Sequence, residues 1–175
     1  MNGQDVAKRN VRNPDSKLLD RGQMKAECQR LREAKQTLVF TNGTFDILHA
    51  GHTTYLDQAR RLGDVLIVGL NSDSSIRSIK GKNRPIVDEA QRSKMLAALE
   101  CVDYVVVFDE DEPRDLISVL LPDVLVKADD WSHYVSGRNL VEANGGQVVL
   151  APLVKGLSTS GIIKKILALY GEDKG

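Results

Sequence analysis

The chain has 175 residues, a length typical of one compact domain that can bury its own apolar core. Its 24 basic and 24 acidic residues balance, so the net charge provides no field that would attract a nucleic acid. Apolar runs such as 65–70 and 104–108 are much shorter than the roughly 20 residues of a membrane span, and no apolar secretory segment follows the charged N-terminus. We therefore expect a cytoplasmic globular protein that binds neither nucleic acid nor membrane.

The N-terminal residues 1–21 are polar and show no periodicity. Chain ends of this composition are often poorly ordered, so we predict a mobile arm that a neighbouring subunit would order. Residues 22–175 are predicted to form a single domain. It begins with an amphipathic helix over 23–35, where apolar residues are interleaved with Lys, Glu and Arg.

Apolar, β-branched segments then alternate with segments of helical composition. Strands are predicted at 37–41, 65–70, 104–108, 124–127 and 147–151. Helices are predicted at 53–62, 88–99, 113–121, 137–144 and 161–170. Strands that are apolar throughout and separated by helices indicate a parallel sheet covered on both faces. The fold class is therefore α/β, a Rossmann-like doubly wound sheet of about five parallel strands with helices on both faces.

Polar and glycine-containing segments follow the strands. They are 42–46, 71–73, 109–111, 128–131 and 155–160. In a doubly wound sheet, ligands bind at the carboxyl ends of the strands, which predicts a binding site at this edge. Turn chemistry alone also places Asn, Gly and Asp after strands, so the loops by themselves leave both interpretations open.

Two of the three histidines, His49 and His52, fall in one tetrapeptide after the first strand. A spacing of three on an opening helical turn places both imidazoles on one face, and Gly51 leaves room for a ligand to approach the backbone. The unpaired N–H groups of a helix N-terminus suit a phosphate. Zinc is disfavoured, because helical histidine ligands are usually four residues apart and no third ligand is near. The alternative is a pair of capping or core histidines.

The segment 41–52, TNGTFDILHAGH, resembles the signature of the HxGH nucleotidyltransferase superfamily, whose members transfer a nucleoside monophosphate from a nucleoside triphosphate to a phosphorylated acceptor. Further segments resemble, in order, the bacterial D-glycero-β-D-manno-heptose 1-phosphate adenylyltransferases of lipopolysaccharide core synthesis: 66–73, 80–85, 108–113, 122–127 and 157–160. The resemblance runs from 38 to 170 and does not include the sugar-kinase domain fused upstream in some bacteria. It therefore implies the stand-alone form.

The chain departs from that family at Thr44, Ala128 and Ser160, where Cys, Gly and Thr are usual. Thr44 and the 129–131 segment also resemble the glycerol-3-phosphate cytidylyltransferases. Those enzymes place an Arg shortly before their Ser-Thr motif, whereas residues 155–157 contain none, so adenylyl transfer is favoured. Another HxGH nucleotidyltransferase and a nucleotide-binding module without turnover remain as alternatives.

The helix-terminus chemistry and the resemblance together imply a set of site residues. Catalytic roles are expected for His49, His52 and Lys80. Binding of ATP is expected from Thr44, Phe45, His49, Gly51, His52, Asp129, Ser158, Thr159 and Ser160. Binding of the sugar 1-phosphate is expected from Asn42, Asp46, Asn71, Lys80, Arg84, Asp130 and Trp131. Mg²⁺ is expected with ATP, with Asp46 as its candidate ligand, and a homodimer or higher homo-oligomer is expected.

Simpler interpretations accompany several of these residues. Ser158 suits an ordinary helix cap, Lys80 and Arg84 suit solvated cations on a loop, and Phe45 suits a core ring. The acidic run 109–112 is interpreted as a solvated loop before a helix start rather than as a metal site.

Overall fold

The computed structural model describes residues 12–129 and 134–171. A short 3-10 helix, Pro14–Lys17, precedes the first α-helix. The helices are α1 (Arg21–Glu33), α2 (Ala50–Arg60), α3 (Asp73–Lys80), α4 (Glu89–Ala98), α5 (Arg114–Leu120), α6 (Arg138–Ala143) and α7 (Thr159–Tyr170). The strands are β1 (Leu38–Gly43), β2 (Val65–Asn71), β3 (Tyr104–Phe108), β4 (Val124–Ala128) and β5 (Gln147–Ala151).

The strands form one parallel sheet in the order β3-β2-β1-β4-β5. One face packs against α1, α5 and α6 around Phe40, and the other packs against α2 and α4 around Leu66. The strand β2 is buried along its whole length, because helices cover both of its faces. The predicted doubly wound α/β fold is confirmed. The strand order reverses between β1 and β4, so a crevice for ligands is expected at their carboxyl ends.

The structure corrects two predictions about local structure. Residues 73–80 form α3 rather than a loop, and Ser72 caps this helix by accepting a hydrogen bond from the N–H of Ser75 at 3.2 Å. The prediction of a mobile arm is wrong for residues 12–20. There the ammonium of Lys17 donates to the carbonyls of Leu99 at 3.0 Å and Val102 at 2.6 Å, which fixes this segment to the end of α4. Residues 1–11 lie outside the described part of the chain.

The last helix, α7, packs differently from the others. It has no buried side chain, and Leu167 and Tyr170 are 61% and 70% exposed. Its 12 residues are too few to cross a bilayer, and no other helix within 12–129 and 134–171 is long and apolar enough to do so.

Candidate active site

A cavity of about 580 Å³ lies at the carboxyl edge of the sheet. Its wall is formed by the ends of β1, β2 and β4 and by loops that follow the strands, as the doubly wound topology predicts. The expected site residues on this wall are Asn42, Thr44, Phe45, His49, Gly51, His52, Asn71, Lys80, Arg84, Ser158, Thr159 and Ser160. The sheet therefore brings together residues that are more than a hundred positions apart in the sequence.

The turn between β1 and α2 is compact and strained. Phe45 and Ile47 have positive φ angles of 44° and 55°, a conformation that non-glycine residues adopt rarely. The ring of Phe45 is buried and meets His52 edge-on, with centroids 5.3 Å apart. The hydroxyl of Tyr55 bonds Thr41 at 2.7 Å and donates to the carbonyl of Val126 at 3.2 Å. These contacts fix α2 to the two central strands.

The two histidines stand face to face at the start of α2. Their rings are stacked, with centroids 3.8 Å apart and planes 20° from parallel. His49 occupies the N-cap position without making a side-chain cap bond, which argues against a capping role. Both Nδ1 atoms are buried and have no hydrogen-bond partner among the described residues. Buried polar atoms are seldom unpaired, so this pair is arranged for a ligand.

Gly51 is the residue that allows this stacking. A Cβ atom at this position would lie 3.0 Å from the His49 ring and 3.2 Å from Cβ of Leu157. Both distances are tighter than ordinary van der Waals contact. Any larger residue would push either the His49 ring or the segment before α7 out of place.

Burial sets the charge state of the site. It lowers the pKa of His49, and it lowers the pKa of His52 to about 4, with further lowering by His49 and Lys80. Both imidazoles are therefore neutral at pH 7, and each offers one N–H donor. Burial and the nearby Arg84 also lower the pKa of Lys80, while Asp46 raises it. Lys80 is the last residue of α3, and its ammonium donates to the hydroxyl of Thr44 at 3.2 Å.

Asp46 has a structural role. Its carboxylate accepts hydrogen bonds from Arg84 Nε at 2.5 Å and from the N–H groups of Ile86 and Val87. Burial raises the pKa of this carboxyl, but these hydrogen bonds outweigh the effect and hold the pKa below its ordinary value. The side chain is 0% exposed and does not line the cavity. The roles expected for Asp46 in binding the acceptor or magnesium do not fit this geometry.

Arg92 connects several backbone segments next to the site, and the sequence did not predict this role. Its guanidinium is fully buried and donates to the carbonyls of Thr44 at 2.8 Å, Asn71 at 2.9 Å and Val87 at 2.9 Å, and to the carboxylate of Asp73. Removing a buried, fully paired charge leaves several groups unsatisfied. Its sequence signal is a charged residue at the helical spacing of the apolar face of α4, four positions before the buried Leu96.

Further wall residues come from the loops after β3 and β4. Lys127 donates to the side-chain oxygen of Asn42 at 2.8 Å. Asp111 and Glu112 are exposed, as the interpretation of the acidic run as a solvated loop predicts, and they also line the cavity. Glu112 accepts hydrogen bonds from the hydroxyls of Tyr134 and Ser136. Within 12–129 and 134–171, no cluster of three or more His, Cys, Asp or Glu is placed to hold a metal ion.

The first turn of α7 also lines the cavity, next to the turn between β1 and α2. Ser158 caps the helix by accepting from the N–H of Gly161 at 3.0 Å, and Thr159 donates to the carbonyl of Asp46 at 2.6 Å. The helix begins at Thr159, two residues before the predicted start at 161, and Ser158 is its cap. The cap does not prevent the Ser158 hydroxyl from donating to a ligand. Asp129 is exposed and lies outside the cavity wall, whereas Asp130 and Trp131 lie outside the described residues.

A parallel sheet in this order, with an HxGH turn at its switch point, defines an α/β domain of the nucleotidyltransferase class. Residues 40–165 match the family model described as cytidylyltransferase-like, and the chain belongs to this family.

Similar proteins agree with this assignment. The bifunctional protein HldE of Syntrophotalea carbinolica is 53% identical over 157 residues, which cover 89% of this chain and 32% of that protein. HldE of Geobacter sulfurreducens is 56% identical over 137 residues, which cover 78% of this chain and 28% of that protein. The chain thus spans about a third of the length of the curated relatives it matches.

Two solved structures share the fold. The lipopolysaccharide core biosynthesis protein from Thermoplasma volcanium is 30% identical, with a TM-score of 0.55, over 69% of this chain and 98% of that one. Pantoate-beta-alanine ligase from Francisella tularensis is 17% identical, with a TM-score of 0.59, over 86% of this chain and 78% of that one. The second likeness concerns the fold alone.

Proposed function

We propose that the chain is an adenylyltransferase that transfers AMP from ATP to D-glycero-β-D-manno-heptose 1-phosphate, giving ADP-heptose and pyrophosphate for the lipopolysaccharide core. The observation that carries the proposal is the stacked, neutral pair His49 and His52, with unpartnered buried nitrogens, at the sheet's switch point. Similarity to the HldE proteins and to the lipopolysaccharide core biosynthesis protein supports the choice of acceptor.

The reaction is an in-line displacement at the α-phosphorus of ATP. An oxygen of the sugar phosphate forms the new bond to this phosphorus, and the bond to the bridging oxygen of pyrophosphate breaks. The second pKa of a phosphate monoester is about 6, so the attacking group is ionised at neutral pH and no general base is required. The protein therefore has to position two anions and stabilise the charge that develops between them.

The histidine pair supplies hydrogen-bond donors for this charge. Because both imidazoles are neutral, each donates one N–H to the α-phosphate or to the departing pyrophosphate without first taking up a proton. These donors stand on a strained turn tied to β1 and β4, so they are held in place before the substrates bind.

Lys80 and Arg84 contribute differently to the binding of phosphate. Arg84 is paired with Asp46, so its charge is largely balanced inside the protein. Within residues 12–129 and 134–171, Lys80 forms no ion pair and donates to the hydroxyl of Thr44, so its positive charge can serve the acceptor phosphate or the α-phosphate. The N-terminus of α7, with Ser158, Thr159 and Ser160, binds the β- and γ-phosphates.

Three further assignments accompany this mechanism. Mg²⁺ is the expected cofactor, and it would neutralise part of the negative charge of the ATP triphosphate. Asn42 and Asn71 present amides from the ends of β1 and β2 to the acceptor. The active form is a homodimer or higher homo-oligomer in the cytoplasm, without nucleic-acid or membrane partners.

The test is pyrophosphate release by the purified protein with Mg²⁺, crossing ATP and CTP against β-heptose 1-phosphate, its α-anomer and glycerol 3-phosphate. We expect selective turnover of ATP with β-heptose 1-phosphate. Turnover of CTP with glycerol 3-phosphate would assign the chain to cytidylyl transfer, in line with Thr44. Tight ATP binding without pyrophosphate release from any pair would indicate a nucleotide-binding module.

A further inference from the structure

The cavity has walls of opposite chemical character on the two sides of the sheet. The histidines stand on α2, which packs on the same face as α4. Glu112, Tyr134 and Ser136 also line the cavity, and the intervening Val135 packs with α1, α5 and α6 on the other face. One group of cavity residues, His49, His52 and Lys80, thus offers hydrogen-bond donors and a positive charge. The other group, Glu112, Tyr134 and Ser136, offers a carboxylate and two hydroxyls.

The second wall is built by a contact between distant loops. Glu112 follows β3 and Ser136 follows β4, and two strands separate β3 from β4 in the sheet. The loop after β4 packs closely against α5 at Gly137, where φ is +83°. A Cβ atom at this position would lie only 2.7 Å from Cδ1 of Ile117. The bridge from Glu112 to Tyr134 and Ser136 therefore rests on a well-packed frame.

Both bonds of this bridge use the same oxygen of Glu112. Tyr134 donates to Oε2 at 2.9 Å and Ser136 donates to Oε2 at 2.8 Å. A carboxylate has about four acceptor positions on its two oxygens. The bridge therefore holds the carboxylate by Oε2 and leaves acceptor positions on Oε1, and the hydroxyl oxygens of Tyr134 and Ser136 add further capacity.

A fixed carboxylate selects its ligand by charge. It repels a phosphate and accepts hydrogen bonds from hydroxyl groups, and such charge-assisted bonds are roughly twice as strong as neutral ones. A sugar phosphate is anionic at one end and rich in hydroxyl donors elsewhere. In this cavity its phosphate is drawn to Lys80 and the histidines, and its hydroxyls are drawn to Glu112.

We infer that Glu112, oriented by Tyr134 and Ser136, binds hydroxyl groups of the acceptor sugar and sets the direction in which the acceptor enters the site. This inference rests on the proposed function and adds a specificity-determining residue to it. It assigns Glu112 to hydroxyl groups of the acceptor rather than to those of the ATP ribose, and the two assignments differ in which KM value Glu112 controls.

The test compares steady-state kinetics of Glu112→Ala and Glu112→Gln with the wild type, using ATP and β-heptose 1-phosphate. Loss of a hydrogen bond to a charged group corresponds to about tenfold or more in binding, so Glu112→Ala is expected to raise the KM of the acceptor by that factor. Glu112→Gln keeps one acceptor oxygen and is expected to have a smaller effect. The KM of ATP is expected to change by less than about twofold in both variants.

The matched control is Asp115→Asn, which removes a nearby carboxylate from the first turn of α5, outside the cavity wall. It is expected to leave both KM values unchanged. An unchanged acceptor KM in both Glu112 variants overturns the inference, and so does an equal rise in the KM of ATP and of the acceptor. If Glu112→Ala does not fold, the KM values of Glu112→Gln alone decide whether the inference holds. Absence of turnover in the wild type with these substrates would instead overturn the proposed function.

Discussion

The two helices whose N-terminal turns line the cavity, α2 and α7, are anchored very differently. The first, α2, buries Gly51, Tyr55, Leu56 and Ala59 and is tied to both central strands. The second, α7, buries no side chain and is joined to the turn after β1 by the bond from Thr159 to Asp46. Sparse packing of this kind marks regions of low local stability.

We infer from this difference that α2 and α7 have different roles in the reaction. Groups that stabilise a transition state must be held close to their working geometry, which a packed helix provides. A weakly packed helix is less suited to that task, and its N-terminal N–H groups are suited to binding phosphates. We therefore expect substitutions on the α2 wall to lower kcat and substitutions on the α7 wall to raise the KM of ATP.

The largest effect is expected from His52→Ala on the α2 wall. Loss of one preorganised donor to the transition state lowers kcat by about 100-fold or more, as in other oxyanion sites. Pyrophosphate release at saturating substrates measures it, and the unfolding midpoint of the variant serves as the control. A kcat near that of the wild type would remove His52 from the chemistry.

Lys80→Met keeps the length of the stem and removes the charge. We expect kcat/KM for the acceptor to fall roughly 30-fold, the size of a charge-assisted hydrogen bond. Lys82→Met is the matched control, because Lys82 lies two residues after Lys80, beyond the end of α3, and does not line the cavity. Equal kinetics of the Lys80 and Lys82 variants would contradict a role for the Lys80 ammonium.

Gly51→Ala tests whether the stacked geometry itself matters. The added Cβ would lie 3.0 Å from the His49 ring, so the ring must move by a few tenths of an ångström. Since small displacements of catalytic groups lower rates strongly, we expect kcat to fall about tenfold with little change in KM. Unaltered kcat would mean that the ring positions tolerate movement and that the α2 wall is less rigid than proposed.

Thr159→Val tests the tether of α7. The substitution keeps the side-chain shape and removes the bond to the Asp46 carbonyl, which contributes about 1 kcal/mol. The KM of ATP is expected to rise about fivefold while kcat stays within twofold. Thr159→Ser keeps the hydroxyl and serves as the control. A fall in kcat without a change in KM would break the proposed division between the two walls.

The smallest expected effect is on the pH dependence of the free energy of unfolding. Because burial lowers the pKa of His52 to about 4, the unfolded chain binds more protons than the folded one between about pH 4 and 6.5. Stability is therefore lost as the pH falls from about 6.5 toward 4. Denaturant unfolding at pH 7 and pH 5 is expected to show about 1 kcal/mol more loss in the wild type than in His52→Gln, after allowance for solvent screening. An equal loss in both proteins would mean that His52 is not buried neutral.

The sequence predicted the framework well because its signals are local. Each strand was placed within two residues at either end, since the apolar runs are continuous and bounded by turn residues. The helix α3 was missed because residues 73–80 contain three polar serines and only two isoleucines. Its stability comes from the Ser72 cap and from the ion pair between Arg92 and Asp73, which is a contact between distant residues.

The same distinction applies to the site. The histidine pair and the Ser158 cap were predictable, because each depends on spacing within one turn of a helix. The inward direction of Arg92 and the bridge at Glu112 depend on how α4 and the loop after β4 pack, which no local pattern encodes. Asp46 was misassigned because its neighbours in the sequence do not reveal that Arg84, Ile86 and Val87 surround its carboxylate.

The central claim is that this cavity joins the α-phosphate of ATP to a sugar phosphate. The most direct measurement follows ATP labelled at its α-phosphorus during turnover with β-heptose 1-phosphate, Mg²⁺ and the wild-type chain. We predict that the label appears in ADP-heptose at the rate of pyrophosphate release and that His52→Ala slows both equally. Label recovered as free AMP, or retained in ATP while pyrophosphate is absent, would contradict the claim.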